Sequence, residues 1–179
     1  TPVIVDMDGD GFSEIIFAAT QSAGGSCGGD FDTSYSYIFV LDGRTGLQKY
    51  VSPQPIASLS TSPAAGDLDD DGYPEVIFAT HFPPRLLIMK YNPSTSAYSY
   101  ILSPDSLERT PYFASITVAN LDQASAPEII VGREVFRSDG TLLWRGDGTW
   151  GNAALGSCDF TPNSLVADVD LDGEMEVVA

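Results

Sequence analysis

The 179-residue chain predicts an all-β fold built from repeated four-stranded antiparallel sheets. Three observations carry this. A nine-residue acidic pattern recurs along the chain. Short apolar runs rich in β-branched residues flank each copy. Asp-Gly and Asn-Pro turn signals punctuate the remainder, and no long helical periodicity appears.

The first acidic stretch is DMDGDGFSE, from Asp6 to Glu14. Asp6, Asp8 and Asp10 occupy alternate positions, Gly11 follows, and Glu14 closes the loop. Carboxylates this close repel one another unless a cation lies among them. Hard cations such as Ca²⁺ take several oxygen ligands, carboxylates and backbone carbonyls alike. Positions 1, 3, 5 and 9 of the loop can converge, with the carbonyl of Phe12 at position 7. Gly11 stands where the chain must turn sharply, at least cost to glycine. DLDDDGYPE, from Asp67 to Glu75, repeats the pattern with Asp67, Asp69, Asp71, Gly72 and Glu75, and with Tyr73 at position 7. DVDLDGEME repeats it with Asp168, Asp170, Asp172, Gly173 and Glu176, and with Glu174 at position 7. NLDQASAPE keeps Asn120, Asp122 and Glu128 but has Ala124 and Ser125 at positions 5 and 6. An ion is therefore expected at three loops and not at this one.

The loops begin at residues 6, 67, 120 and 168, a spacing typical of repeat arrays. Val3–Val5 precedes the first loop and Ile15–Phe17 follows it. The later loops are followed by Val76–Phe78, Ile129–Val131 and Val177–Val178. These runs are continuous rather than alternating, as strands covered on both faces require. Each loop thus joins the first two strands of a unit. Third and fourth strands follow: Tyr37–Leu41 and Leu47–Val51 around Asp42-Gly43; Leu86–Met89 and Tyr98–Leu102 around Asn92-Pro93; Val135–Arg137 and Thr141–Trp144 around Asp139-Gly140. Pro104–Arg109 is compatible with one helical turn. The units span about 1–60, 61–113, 114–162 and 163–179, the last an incomplete first hairpin. Sheets buried on both faces pack radially into a β-propeller of 4–8 blades. Three complete blades and one hairpin cannot close a ring, so the expectation is part of a larger ring on a longer natural chain. A linear stack or sandwich array is the alternative architecture.

Composition narrows function. The formal charge is −17, from 25 acidic and 8 basic residues, and 14 of the acidic ones lie in the three intact loops. About three Ca²⁺ ions would bring the charge to about −11. Nucleic acid is excluded as a partner by the lack of Lys/Arg. No apolar run is long enough for a membrane span. Cys27 and Cys158 can pair, pair elsewhere or remain free. His81 is the single histidine and reads as a loop residue.

DMDGDGFSEIIFA, DLDDDGYPEVIFA and DVDLDGEMEVVA resemble the FG-GAP/VCBS repeats, whose integrin α-subunit members form calcium-binding propellers. The resemblance implies Ca²⁺ at the loop between the first two strands of each blade. It implicates Asp6, Asp8, Asp10, Phe12 and Glu14; Asp67, Asp69, Asp71, Tyr73 and Glu75; and Asp168, Asp170, Asp172, Glu174 and Glu176, the seventh residue of each set through its carbonyl. The function expected is a non-enzymatic extracellular or cell-surface propeller for adhesion, recognition or assembly, where millimolar Ca²⁺ suits modest affinity. A protein or carbohydrate ligand is expected on the face opposite the loops, where Cys27, His81, Phe82, Arg109, Tyr112, Phe113, Trp150 and Phe160 would lie. Two alternatives stand beside it. One is the propeller portion of a Ca²⁺-dependent polysaccharide lyase or other secreted hydrolase, with catalytic residues elsewhere, since no Ser/His/Asp set is present. The other is a structural subunit of a ring or fibre, self-associating through open sheet edges.

Overall fold

The computed structural model describes residues 1–19, 35–58, 61–80, 83–108, 114–122, 126–147 and 163–178. Cys27, Cys158, His81, Phe82, Arg109, Tyr112, Phe113, Trp150 and Phe160 lie outside them, as do Ala124 and Ser125. Among the described residues there is no α-helix, and so none long and apolar enough to cross a membrane.

The first sheet is a meander of β1 (Val3–Val5), β2 (Glu14–Ala19), β3 (Tyr35–Asp42) and β4 (Gln48–Val51), with β5 (Ala57–Ser58) added to the start of β3. The second contains β6 (Ala64–Gly66), β7 (Glu75–Ala79), β8 (Arg85–Asn92) and β9 (Ala97–Ser106). The third contains β10 (Ile116–Ala119), β11 (Glu128–Val131), β12 (Glu134–Phe136) and β13 (Leu142–Arg145). A hairpin of β14 (Leu165–Ala167) and β15 (Glu176–Val178) ends the described chain. All pairings within the sheets are antiparallel, as the turn signals predict.

The second sheet shows why its apolar runs are continuous. Strand side chains alternate between faces, so a run buried on both sides feeds two cores. Val76, Phe78, Leu87 and Met89 join Met7, Ile16, Ile38 and Val40 against the first sheet. Ile77, Ala79, Leu86 and Ile88 join Ile116, Ile129, Val131 and Phe136 against the third. The first strands β1, β6 and β10 lie side by side, and a parallel bridge joins Ser62 to Ser115. The hairpin is tied to the third sheet by Ser164 Oγ donating to the Gly132 carbonyl at 2.7 Å, and by Ser115 N–H donating to Asn163 Oδ1 at 2.9 Å.

Two expectations are corrected. β5 is an additional strand: Tyr35 pairs with Ser58 and Ser36 with Ala57. Pro104–Ser106 is not a helical turn but the end of β9, which runs to Ser106 opposite Arg85. Proline lacks an N–H, yet it is tolerated where a strand is irregular. The register shifts between Arg85 and Leu87, and the Arg85 guanidinium takes the Pro104 carbonyl at 2.8 Å.

Candidate metal centres

Each acidic loop leaves the first strand of its sheet and re-enters through the second. Its second residue is a core plug in the first two copies: Met7 and Leu68 are 0% and 2% exposed. A buried plug has a buried N–H that needs an acceptor. The ninth-position glutamate supplies it. Glu14 Oε2 accepts from Met7 N–H at 2.8 Å, and Glu75 Oε2 from Leu68 N–H at 2.8 Å. Glu128 and Glu176 do the same for Leu121 and Val169, at 2.8 and 2.7 Å.

The first-position aspartate holds the sharp turn. Asp6, Asp67 and Asp168 accept through Oδ2 from the N–H of Gly11, Gly72 and Gly173, at 2.9, 2.9 and 3.0 Å. Those glycines have φ of +87°, +86° and +97°, the left-handed region where a side chain is strained. The fifth-position aspartate caps the far side. Asp10, Asp71 and Asp172 each accept through Oδ1 from the N–H of Phe12, Tyr73 and Glu174 at 2.9 Å. The fourth position is also left-handed, at Gly9, Asp70 and Leu171 (φ +71°, +60° and +63°), which the sequence pattern alone does not disclose.

These bonds turn carboxylate oxygens toward one point. Asp6, Asp8 and Asp10 each offer an oxygen within 4.8 Å of the others, and so do Asp67, Asp69 and Asp71. In the last loop the convergent set is Asp168, Asp170 and Glu176. The chemistry of these oxygens bears on which ion they suit. Asp6 Oδ1 is buried without a hydrogen-bond partner, and Glu75 Oε1 likewise accepts no hydrogen bond. Buried carboxylate oxygens left this way are costly, and an all-oxygen donor set suits a hard cation. The residues fit Ca²⁺.

Two lysines, besides the Arg44 guanidinium 4.0 Å from Asp10, reach these loops unannounced by any local motif. Lys49 Nζ lies 2.6 Å from Asp8 and 2.7 Å from Glu14. Lys90 Nζ lies 2.8 Å from Asp71 and also contacts Asp69. Burial works against the Lys49 ammonium, but hydrogen bonds to Asp8 and Glu14 outweigh it and raise its pKa above the ordinary lysine value. Lys90 is raised in the same way against burial, by Asp69 and Asp71. In the second loop Lys90 lowers the Asp71 carboxyl, helped by the Tyr73 N–H. Burial raises Glu75.

A tyrosine cluster bridges the first two loops. Tyr98 packs on Tyr50 at 5.4 Å and on Tyr91 at 5.1 Å, and Tyr91 on Tyr73 at 6.3 Å. Tyr98 is on β9, yet its hydroxyl points to Asp8 Oδ2 at 3.5 Å. Burial raises its pKa first, and Asp8 and Glu14 add to the rise, so the phenol stays neutral.

Residues 6–78 match the family model described as FG-GAP-like repeat. No curated protein matches the chain. Among solved structures, the Vibrio cholerae biofilm matrix protein Bap1 is similar with a TM-score of 0.69 and 23% identity, over 100% of this chain and 28% of that one. The Bacillus licheniformis rhamnogalacturonan lyase PL11 aligns with a TM-score of 0.63 and 18% identity, over 98% of this chain and 34% of the lyase. The exotype rhamnogalacturonan lyase YesX aligns with a TM-score of 0.62 and 20% identity, over 98% and 33%. The chain thus spans about a third or less of the structures it resembles, and the likeness is one of fold.

Proposed function

We propose, from the match of residues 6–78 to the FG-GAP-like repeat model, that the chain is a segment of an extracellular β-propeller stabilised by Ca²⁺ and used for adhesion or recognition. One observation carries the reading. Three loops far apart in sequence adopt the same arrangement, with position 1 on the position 6 N–H and position 5 on the position 7 N–H. This arrangement gathers three carboxylates and leaves Asp6 Oδ1 without a partner. The ligands are Asp6, Asp8, Asp10 and Glu14; Asp67, Asp69, Asp71 and Glu75; and Asp168, Asp170, Asp172 and Glu176. The carbonyls of Phe12, Tyr73 and Glu174 complete the sets. A bound Ca²⁺ would offset the repulsion among these carboxylates.

The propeller reading is supported by a sheet buried on both faces and by first strands lying side by side. The extracellular reading is supported by the likeness to a biofilm matrix protein; on that reading the loops are expected to bind with Kd about 10⁻⁴–10⁻³ M, the range of extracellular calcium modules. Calorimetric titration of the chelator-stripped protein with CaCl₂ tests it. Three sites and a rise in Tm are expected; absence of both heat and a Tm change defeats the reading.

A second reading is favoured by the likeness to two rhamnogalacturonan lyases: the chain is the calcium-bearing portion of a lyase acting on acidic polysaccharide. Cleavage of rhamnogalacturonan by the protein would select it over adhesion. Binding without cleavage would leave recognition as the role.

A further inference from the structure

The chain has only two lysines, Lys49 and Lys90, and the fold seats both in acidic loops. Lys49 Nζ meets Asp8 Oδ2 at 2.6 Å, Asp10 Oδ2 at 3.5 Å and Glu14 Oε1 at 2.7 Å. Lys90 Nζ meets Asp69 Oδ2, Asp71 Oδ2 at 2.8 Å and Glu75 Oε1 at 3.5 Å. In loop positions these are the third, fifth and ninth residues both times. The two side chains arrive by different routes. Lys90 stands on β8, the third strand of its sheet, one residue beyond the Val76–Met89 pair. Lys49 stands on β4, the fourth strand of its sheet. There the register passes from Val40–Tyr50 to Leu41–Gln48 and leaves Lys49 as the extra residue of a bulge. A bulge re-aims a side chain. Two unrelated backbone positions thus deliver an ammonium to the same three carboxylates.

Resting on the calcium reading above, we propose that Lys49 and Lys90 are tethered counterions that compete with Ca²⁺ for the first two loops. The oxygens they hold are among those a divalent ion needs. Two cations on one set of oxygens repel each other at a separation far inside the screening length, so Ca²⁺ enters only as the ammonium leaves. The tethered charge has two consequences. It offsets one negative charge and ties three of the loop's carboxylates together when no ion is present, so the first two loops stay formed without Ca²⁺. It also weakens their apparent affinity. Among the described residues no ammonium or guanidinium lies within 4.0 Å of the carboxylates of loop 168–176. That loop therefore fills first.

The test is calorimetric Ca²⁺ titration, with Tm measured in Ca²⁺ and in EDTA, on the wild type, Lys49→Met, Lys90→Met and Asp170→Asn. Each lysine variant should bind Ca²⁺ about tenfold more tightly at its own loop, and should lose more Tm in EDTA than the wild type does. Asp170→Asn should abolish the tightest wild-type site, a measurement that does not depend on either lysine variant folding. Ca²⁺ binding at all three loops with affinities unchanged or weakened by the lysine substitutions would overturn the proposal. So would a tightest site that survives Asp170→Asn. No Ca²⁺ binding by any of the proteins would instead overturn the calcium reading itself, and the proposal with it.

Discussion

Glu128 accepts the backbone N–H of Leu121 at 2.8 Å, in the loop whose sequence lacks the fifth-position aspartate. The same bond closes the three intact loops. The ninth-position glutamate is thus first a clamp between the loop's second residue and the start of the next strand. Its second oxygen is what remains for a cation. β10 and β11 still pair in the degenerate copy, where the same clamp is made without the fifth-position aspartate.

Glu128→Ala should destabilise the protein by about 1–3 kcal/mol, because it strands the Leu121 N–H in a partly buried site. Glu128→Gln keeps an acceptor and should cost much less. Urea unfolding of the two variants, with and without EDTA, checks this. Equal losses in both would show that the carboxylate charge, not the hydrogen bond, is what counts.

Leu171 occupies the left-handed fourth position of the last loop with φ +63° and is 85% exposed. A left-handed conformation costs a residue with a Cβ about 1–2 kcal/mol, and so exposed a side chain loses little packing on removal. Leu171→Gly should therefore raise stability by roughly 0.5–1 kcal/mol, the rest being offset by the entropy of glycine in the unfolded chain. The equivalent Gly9 already has this relief. A lowered Tm in Leu171→Gly would contradict the account.

Gly140 lies in the β12–β13 turn with φ +81°, and a Cβ there would sit 2.7 Å from Ser103 Cβ on the second sheet. Gly140→Ala combines backbone strain with a clash between sheets, and should cost about 2 kcal/mol or more. Ser103→Gly in the same chain should recover part of the loss, a coupling that a double-mutant cycle measures.

Asp42 caps the β3–β4 turn, accepting from Thr45 N–H at 2.8 Å, Thr45 Oγ1 at 3.0 Å and Arg44 N–H at 2.9 Å. The Thr45 N–H is the chief cause holding its carboxyl below the ordinary aspartate value. A depressed folded pKa contributes stability that is full above the unfolded value and is lost as pH falls through the folded one. Asp42→Asn keeps the shape and an acceptor without the charge. Its deficit against the wild type should be present at neutral pH and vanish in strong acid. A deficit independent of pH would remove the charge from the explanation.

The all-β repeat and its loops were legible in the sequence because their causes are local. Asp-x-Asp-x-Asp-Gly-x-x-Glu places every partner within nine residues, and the Gly11–Asp6 and Glu14–Met7 bonds span five and seven positions. The double-sided burial of β7 followed from the unbroken run Val76–Phe78 for the same reason. What tertiary structure alone decided lies at long range. Lys49 meets Glu14 across 35 positions, Lys90 meets Asp69 across 21, and Tyr98 meets Asp8 across 90. A bulge in β4 and the packing of one sheet on the next set these contacts, and neither leaves a local pattern. β5 and the strand through Pro104 were hidden likewise, since only the partner strand shows which backbone groups need pairing. The sequence by itself determined where carboxylates gather and which strands enclose them. The tertiary structure decided which cation-bearing side chains reach them, because the Coulomb energy of a loop depends on distance in space and not along the chain.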